Sequence, residues 1–336
     1  MKLILTTCFG IEDVVAKELK EKDREAKILE LRKGRVIVDV KKLEPVFTMH
    51  SIHHVIKMVS IFRFKTIQDI SQKLKETNLD DLLDADTFRV TSERACTKTK
   101  YSHSFTSIDI QKIAGDIILK KYKKKVDLEN FDKEIRVDVI DNVCFVGIQL
   151  TKNSLHKRGY RVFEHPAALK PTLAYAMLRI IDLRKNESLL DPMCGGGTIP
   201  IEAALTIKPK KIFASDKNEK YVQGAKLNAK NAGVLDKIGF ETKDCKDMSW
   251  VGEVDKVVTN PPFGVRIGRN RKFLKKLYSD FLKACNEVVK DKICLLSLKS
   301  NLFKYALKKH GKFRIVHERI VGHGNIYPKL YVIEKK

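Results

Sequence analysis

Acidic residues are scarce in this chain of 336 residues, with 42 Asp and Glu against 66 Lys and Arg. The formal net charge of +24 favours a polyanionic partner, nucleic acid first. A lysine-rich surface that serves solubility alone gives the same balance, and composition does not choose between the two. Cys-x-x-Cys pairs are missing. The seven cysteines, Cys8, Cys96, Cys144, Cys194, Cys245, Cys285 and Cys294, are scattered, which argues against a zinc site and a disulfide framework and for buried thiols of an intracellular protein. No apolar run of membrane-spanning length occurs, and Met1-Lys2-Leu3-Ile4-Leu5-Thr6-Thr7 has neither a long apolar core nor a cleavage site. A cytoplasmic protein is expected. Internal repeats and low-complexity linkers are lacking too, so domain boundaries must come from changes of pattern. With 43% hydrophobic and 32% charged residues the chain is globular, and its length suits about two domains.

Two halves separate. Leu3 to Thr7 is a short apolar run that yields at Gly10-Ile11-Glu12 to the helical spacing Val14, Val15, Leu19, and Arg35 to Val40 alternates as a strand does. This β-α-β start suggests a small α+β module ending near Arg63. Phe88–Thr91, Ile135–Val139 and Val143–Leu150 read as strands, with an amphipathic helix over Ile108–Tyr122 that ends in the basic cluster Lys120-Lys121-Tyr122-Lys123-Lys124-Lys125. That cluster is either a solvated helix end or an RNA contact. From Ser188 strands and helices alternate, the signature of a parallel sheet covered on both faces. Strands are read at Ser188–Leu190, Lys211–Ala214, Ile238–Thr242, Lys256–Thr259 and Ile293–Leu298. Phe313–Val321 and Tyr327–Glu334, joined by Gly322-His323-Gly324-Asn325, read as an antiparallel hairpin. Parallel strands closed by such a hairpin suggest a Rossmann-like methyltransferase rather than a dinucleotide dehydrogenase.

Asp191-Pro192-Met193-Cys194-Gly195-Gly196-Gly197-Thr198 follows the first of these strands and precedes a helix. Glycines let the backbone approach a ligand, but they and Asp216 at the next strand's end would serve NAD equally. Asp191, placed for a cationic amino acid moiety, and Asp244, placed for an adenine amino group, favour S-adenosylmethionine. Asp244 can also be a solvated loop acid beside Asp247. The most specific signal is Asn260-Pro261-Pro262-Phe263, which follows the fourth strand and so shares the switch-point crevice with the glycine loop. The lone pair of an exocyclic base amine is delocalised into the ring. Asn260 Oδ1 and the Pro261 carbonyl can accept its two hydrogens and aim that lone pair at a sulfonium. Pro261 and Pro262 stiffen the loop, and Phe263 can stack on an extruded base. The competing reading is an ordinary strand-ending turn.

These segments resemble the class I methyltransferases, and more closely the THUMP-domain RNA methyltransferases. The resemblance rests on Asp191 to Glu202, on Asn260-Pro-Pro-Phe-Gly-Val-Arg266 and on His165-Pro166-Ala167-Ala168-Leu169-Lys170. Upstream it rests on His103 to Ser107, Val126 to Leu128 and Leu155 to Arg161, and it covers nearly the whole chain. It implies an α/β fold: a Rossmann-like class I methyltransferase domain, a seven-stranded sheet with a terminal antiparallel hairpin, preceded by an α+β ferredoxin-like plus THUMP region. The implied segments are 1–63 ferredoxin-like, 64–153 THUMP, 154–183 linker and cofactor-covering helix, and 184–336 methyltransferase. The cofactor would be S-adenosylmethionine, held by His165, Pro166, Ala167, Asp191, Met193, Cys194, Gly195, Gly197, Thr198, Asp216, Lys217, Asp244, Cys245 and Asn260.

The partner implied is the acceptor stem and 3′ end of tRNA. Lys121, Lys124, Arg158, Arg161, Arg266, Arg269 and Arg271 are candidates for phosphate contacts, and Lys272, Lys275 and Lys276 continue the basic stripe, which otherwise reads as a solvated helix face. A monomer with no metal and no membrane attachment is expected. Asn260 resembles the archaeal and bacterial tRNA guanine-N2 methyltransferases acting at position six, and ribosomal RNA relatives, whereas position-ten enzymes usually carry Asp. Phe263 departs from the commoner Tyr, which keeps stacking and loses a hydroxyl hydrogen bond. N2-methylguanosine at position 6 is the leading product. Guanine N2 at position 10 or in ribosomal RNA, adenine N6, and a non-catalytic RNA-binding protein are the alternatives.

Overall fold

The computed structural model describes residues 1–96, 101–264 and 271–336, and divides into two compact units. One comprises Met1–Thr6 with Leu19–Leu155, the other Thr7–Glu18 with His156–Lys336. The expected phosphate contacts Arg266 and Arg269 lie outside the described residues.

The chain runs β1 (Lys2–Thr6), α1 (Glu12–Lys22), β2 (Lys27–Arg32), β3 (Arg35–Asp39), α2 (Glu44–Phe47), β4 (Val55–Arg63), α3 (Ile67–Glu76), β5 (Thr87–Thr91), β6 (Arg94–Ala95), α4 (Ser107–Tyr122), β7 (Lys125–Val126), β8 (Lys133–Ile140) and β9 (Val143–Gln149). Among the described residues nine strands form one sheet, ordered β2-β3-β1-β4-β9-β8-β5-β7 with β6 beside β8. The first four strands, all antiparallel to their neighbours and arranged 2-3-1-4, have the ferredoxin-like order. β4 carries the sheet onward by pairing antiparallel with β9. Helix α4 forms where its sequence signals it. Thr106 and Asp109 make a capping box, Ile110, Ala114 and Ile118 face the core at fourfold spacing, and Lys123 ends the helix in the left-handed region.

The second unit continues α5 (Pro171–Ile180), β10 (Ser188–Asp191), α6 (Thr198–Thr206), β11 (Lys211–Asp216), α7 (Glu219–Asn231), β12 (Ile238–Thr242), β13 (Val254–Thr259), α8 (Arg271–Val288), β14 (Val289–Ser297), α9 (Ser300–His310), β15 (Phe313–Ile320) and β16 (Lys329–Lys335). Its sheet is ordered β12-β11-β10-β13-β14-β16-β15. The first five strands are parallel, and β16 lies antiparallel between β14 and β15. Side chains alternate along each strand, so the sheet has two apolar faces. Leu189, Val258 and Cys294 pack under α5, α6 and α7, while Leu190, Val257 and Leu295 pack under α8 and α9. Each such aliphatic side chain contributes about 1.5–3 kcal/mol by leaving water. Parallel strands bring their C-terminal ends to one edge. Asp191, Asp216, Thr242 and Thr259 end four neighbouring strands there.

Within this unit the segment at Phe9–Asp13 docks on the end of β15. Arg319 grips both carboxylate oxygens of Asp13 at 2.6 and 3.0 Å and donates to the Gly10 carbonyl at 3.0 Å. Gly322 N donates to the Phe9 carbonyl at 2.7 Å. Gly10 has φ +87°, and a Cβ there would lie 2.1 Å from the Ile320 carbonyl oxygen. Gly10→Ala is therefore expected to cost about 2 kcal/mol or more. Thermal unfolding measures this, and an unchanged midpoint would show that the docked segment contributes nothing.

Candidate active site

The loop after β10 turns sharply at two glycines in the left-handed region, Gly195 at φ +52° and Gly197 at φ +80°. It is braced from β11, because Cys194 N donates to the Ser215 carbonyl at 2.9 Å and Gly195 N to Asp216 Oδ2 at 3.1 Å. The other Asp216 oxygen accepts from Asn218 N at 3.0 Å. Lys243 N donates to the Asp216 carbonyl at 3.1 Å, which brings the loop carrying Asp244 alongside. Asp244 Oδ1 accepts Lys246 N at 3.2 Å.

Asp191 is only 1% exposed and has no ion-pair partner among the described residues. One of its oxygens accepts from Met193 N at 3.3 Å. Burial pushes its carboxyl up to about 7, and the Asp216 carboxylate acts in the same direction. A cation seated beside it would reverse that shift, so the residue fits the ammonium of an amino acid ligand. β13 lies next to β10, with Leu190 opposite Val257, so Asn260 leaves the sheet beside Asp191 at the same edge. Its amide oxygen is buried and has no hydrogen-bond partner among the described residues. Such an acceptor costs free energy until a donor reaches it. Pro261 is buried, Pro262 is exposed, and Phe263 is half-buried with part of its ring taken up by the apolar core under α5 to α7.

His165 lies over the glycine loop, with a Cβ on Gly195 falling 3.4 Å from its ring. Its Nδ1 accepts Ala167 N at 3.1 Å, and Tyr221 meets the imidazole edge-on at 4.3 Å. Burial pulls the imidazole below its ordinary value, which favours the neutral ring, although Asp216 opposes the shift. Pro166 and Ala167 are exposed.

Several expected cofactor residues turn elsewhere. The thiols of Cys194 and Cys245 are buried in the core, and burial raises both, Cys245 to about 12, so neither is a thiolate. Met193 packs against the cluster under α8, and the Thr198 hydroxyl accepts from Arg161 at 2.8 Å. Lys217 is exposed, with its ammonium 5.8 Å from the Phe273 ring.

Residues 158–329 match the RMKL-like methyltransferase domain, and residues 64–149 match the THUMP domain. A tRNA (guanine(6)-N2)-methyltransferase of Archaeoglobus fulgidus is 31% identical over 96% of this chain and 89% of its own. One of Thermus thermophilus is 33% identical over the full length of both. The crystal structure of TrmN from Thermus thermophilus superposes with a TM-score of 0.82 at 31% identity, covering 100% of this chain and 99% of that one. The chain belongs to the THUMP-bearing RMKL-like methyltransferases. It is an S-adenosylmethionine-dependent enzyme of that family.

Two basic residues expected on RNA in this THUMP methyltransferase turn inward instead. Arg158 makes a two-pronged pair with the fully buried Glu202 at 3.1 and 3.2 Å, and Tyr160 donates to the same carboxylate at 2.9 Å. Arg161 holds Thr198 and the Leu169 carbonyl. A buried carboxylate needs a cation more than a surface phosphate does, which is why the internal partner wins. Lys121 donates to the carbonyls of Lys75 and Thr77 at 3.1 and 2.8 Å, and Lys124 to that of Leu83 at 3.0 Å, so both ammonium groups already hold backbone. Arg271, at the start of α8, is exposed.

Because the folded protein holds a proton on Asp191 that the unfolded chain releases, stability from this group is full below about pH 4 and is lost as pH rises toward 7. In ligand-free protein, Asp191→Asn is expected to gain stability relative to wild type between pH 5 and about pH 8. Thermal unfolding across that range checks it, and a pH-independent difference would place the carboxyl in water.

Proposed function

We propose that this protein methylates the exocyclic N2 of guanine at position 6 of tRNA, forming N2-methylguanosine. The observation that carries the reading is the buried Asn260 Oδ1, without a partner among the described residues, at the end of the strand beside Asp191. The full-length relatives named for guanine(6)-N2 methylation supply the base and the position.

When bound, S-adenosylmethionine supplies a methyl carbon made electrophilic by its sulfonium. Asp191 would hold its ammonium, Asp216 the ribose hydroxyls, Asp244 the adenine amino group, and His165 would close over the methionine end. Asn260 Oδ1 and the Pro261 carbonyl accept the two amine hydrogens of the base. This turns its lone pair toward the donor and stabilises positive charge as it develops on nitrogen. Neither oxygen is a base strong enough to remove a proton beforehand. The proton passes to solvent water after attack, when the alkylated nitrogen is acidic, so no metal is called for. Pro262 keeps the loop stiff, and the free part of the Phe263 ring offers a stacking surface for an extruded base.

The segments 1–63, 64–153, 154–183 and 184–336 would act as ferredoxin-like piece, THUMP domain, linker and catalytic domain. The first two would hold the acceptor stem and 3′ end of tRNA, and Arg271 a phosphate near the crevice. A cytoplasmic monomer goes with this role.

The test is incubation with unmodified tRNA transcript and labelled S-adenosylmethionine, followed by nucleoside mapping. N2-methylguanosine at position 6 is expected, and Asn260→Ala should lower kcat at least ~100-fold while tRNA binding persists. Product at adenine N6, or full activity of that variant, would overturn the reading.

A further inference from the structure

Asn228, in the last turn of α7, is 2% exposed, yet its amide uses its whole hydrogen-bonding capacity on two other segments. Its oxygen accepts from Val162 N at 3.0 Å and Phe163 N at 2.8 Å. Its nitrogen donates to the Phe163 carbonyl at 3.0 Å and to the Gly196 carbonyl at 2.9 Å. One side chain thus joins the segment leading to His165 to the middle of the glycine loop. Two further residues extend the same helix stripe at spacings of four and three. Gly224 receives the Phe163 ring, which a Cβ there would meet at 2.2 Å, and Tyr221 meets the edge of His165. At the start of the segment Arg161 is tied to Thr198. The stretch 161–165 is therefore anchored at both ends and the middle by groups of the protein itself.

Resting on the proposed placement of S-adenosylmethionine under His165, we infer that Asn228 is a positioning residue for the methyl donor. It fixes the height and tilt of the His165 roof over Gly195 before any ligand arrives, so the ordering of that segment is not charged to binding. Its loss acts on donor affinity and leaves the reaction of a saturated enzyme alone, because Asn228 reaches neither Asn260 nor the base.

Asn228→Asp keeps the oxygen that accepts from Val162 and Phe163 and replaces the donor to the Phe163 and Gly196 carbonyls with an acceptor. It is expected to weaken S-adenosylmethionine binding roughly tenfold by calorimetry and to raise its KM in proportion. The kcat and the KM for tRNA should stay within about twofold. Gly224→Ala, which leaves every polar partner in place and displaces only Phe163, should show the same split. Tyr221→Ala removes a half-exposed ring and is readable whatever the other two do to folding, with donor affinity reduced a few fold. Folded variants that bind the donor as wild type does, or that lose kcat while its affinity stays unchanged, would overturn the inference. Wild-type protein that binds no S-adenosylmethionine would instead refute the proposed function.

Discussion

Two polar groups taken out of water at the ends of adjacent parallel strands organise this molecule. Among the described residues, β10 delivers the Asp191 carboxyl into a site with no cation beside it, and β13 delivers the Asn260 amide oxygen into one with no donor. Either group would be tolerated more easily at the surface, and both persist in the interior because the sheet's hydrophobic packing outweighs them. Leu189 and Val258 under one set of helices, and Leu190 and Val257 under the other, fix the two strands so closely that their ends cannot separate. A ligand with an ammonium and a base with an exocyclic amine are complements to what the packing leaves unsatisfied.

Around that pair the protein builds rigidity with buried polar side chains rather than with more apolar surface. Glu202 accepts from Arg158 and Tyr160, Thr198 from Arg161, and Asn228 bonds in four directions. All of these bonds but the one from Asn228 to the Gly196 carbonyl tie the segment after Leu155 to α6 and α7. The segment is therefore held firmly against these helices and is not a loose connection, and His165 inherits a defined position from it. Fully satisfied networks of this kind favour one arrangement over its neighbours, because each alternative strands a buried group.

Much of the catalytic half was legible in the sequence, since a glycine loop, an acid after the next strand and Asn260-Pro261-Pro262-Phe263 each have a local reason for their residue types. The central strands from Ser188 onward are also readable, because burial on both faces makes them apolar runs, while the edge strands β12 and β15 alternate. β4 is not legible in the sequence, because Lys57, Ser60 and Arg63 break its alternation, and nor is β2, because Lys27, Glu30 and Arg32 leave its edge polar. Charge counting also assigned Arg158 and Arg161 to RNA, since a cation's partner is a tertiary fact. The signal that could have corrected it was Glu202, a carboxylate set among Ile199, Ile201, Ala203 and Ala204, which must find a cation inside. Asn228 beside Ala225 and Ala229 on α7 carried a similar signal, a hydrogen-bonding side chain on an apolar stripe. The cysteines near the glycine loop drew attention by position alone, and their burial shows that position along the chain does not fix which way a side chain faces.

The most direct test of a desolvated carboxyl awaiting a cation is proton release on S-adenosylmethionine binding. It is measured by titration calorimetry near pH 6.5 in two buffers of different ionisation enthalpy. With Asp191 raised to about 7, binding should expel a substantial fraction of a proton and tighten as pH rises toward 8, and Asp191→Asn should abolish the release. Identical apparent enthalpies in the two buffers for wild-type protein would show that the carboxyl is already ionised without the donor, and would contradict the account.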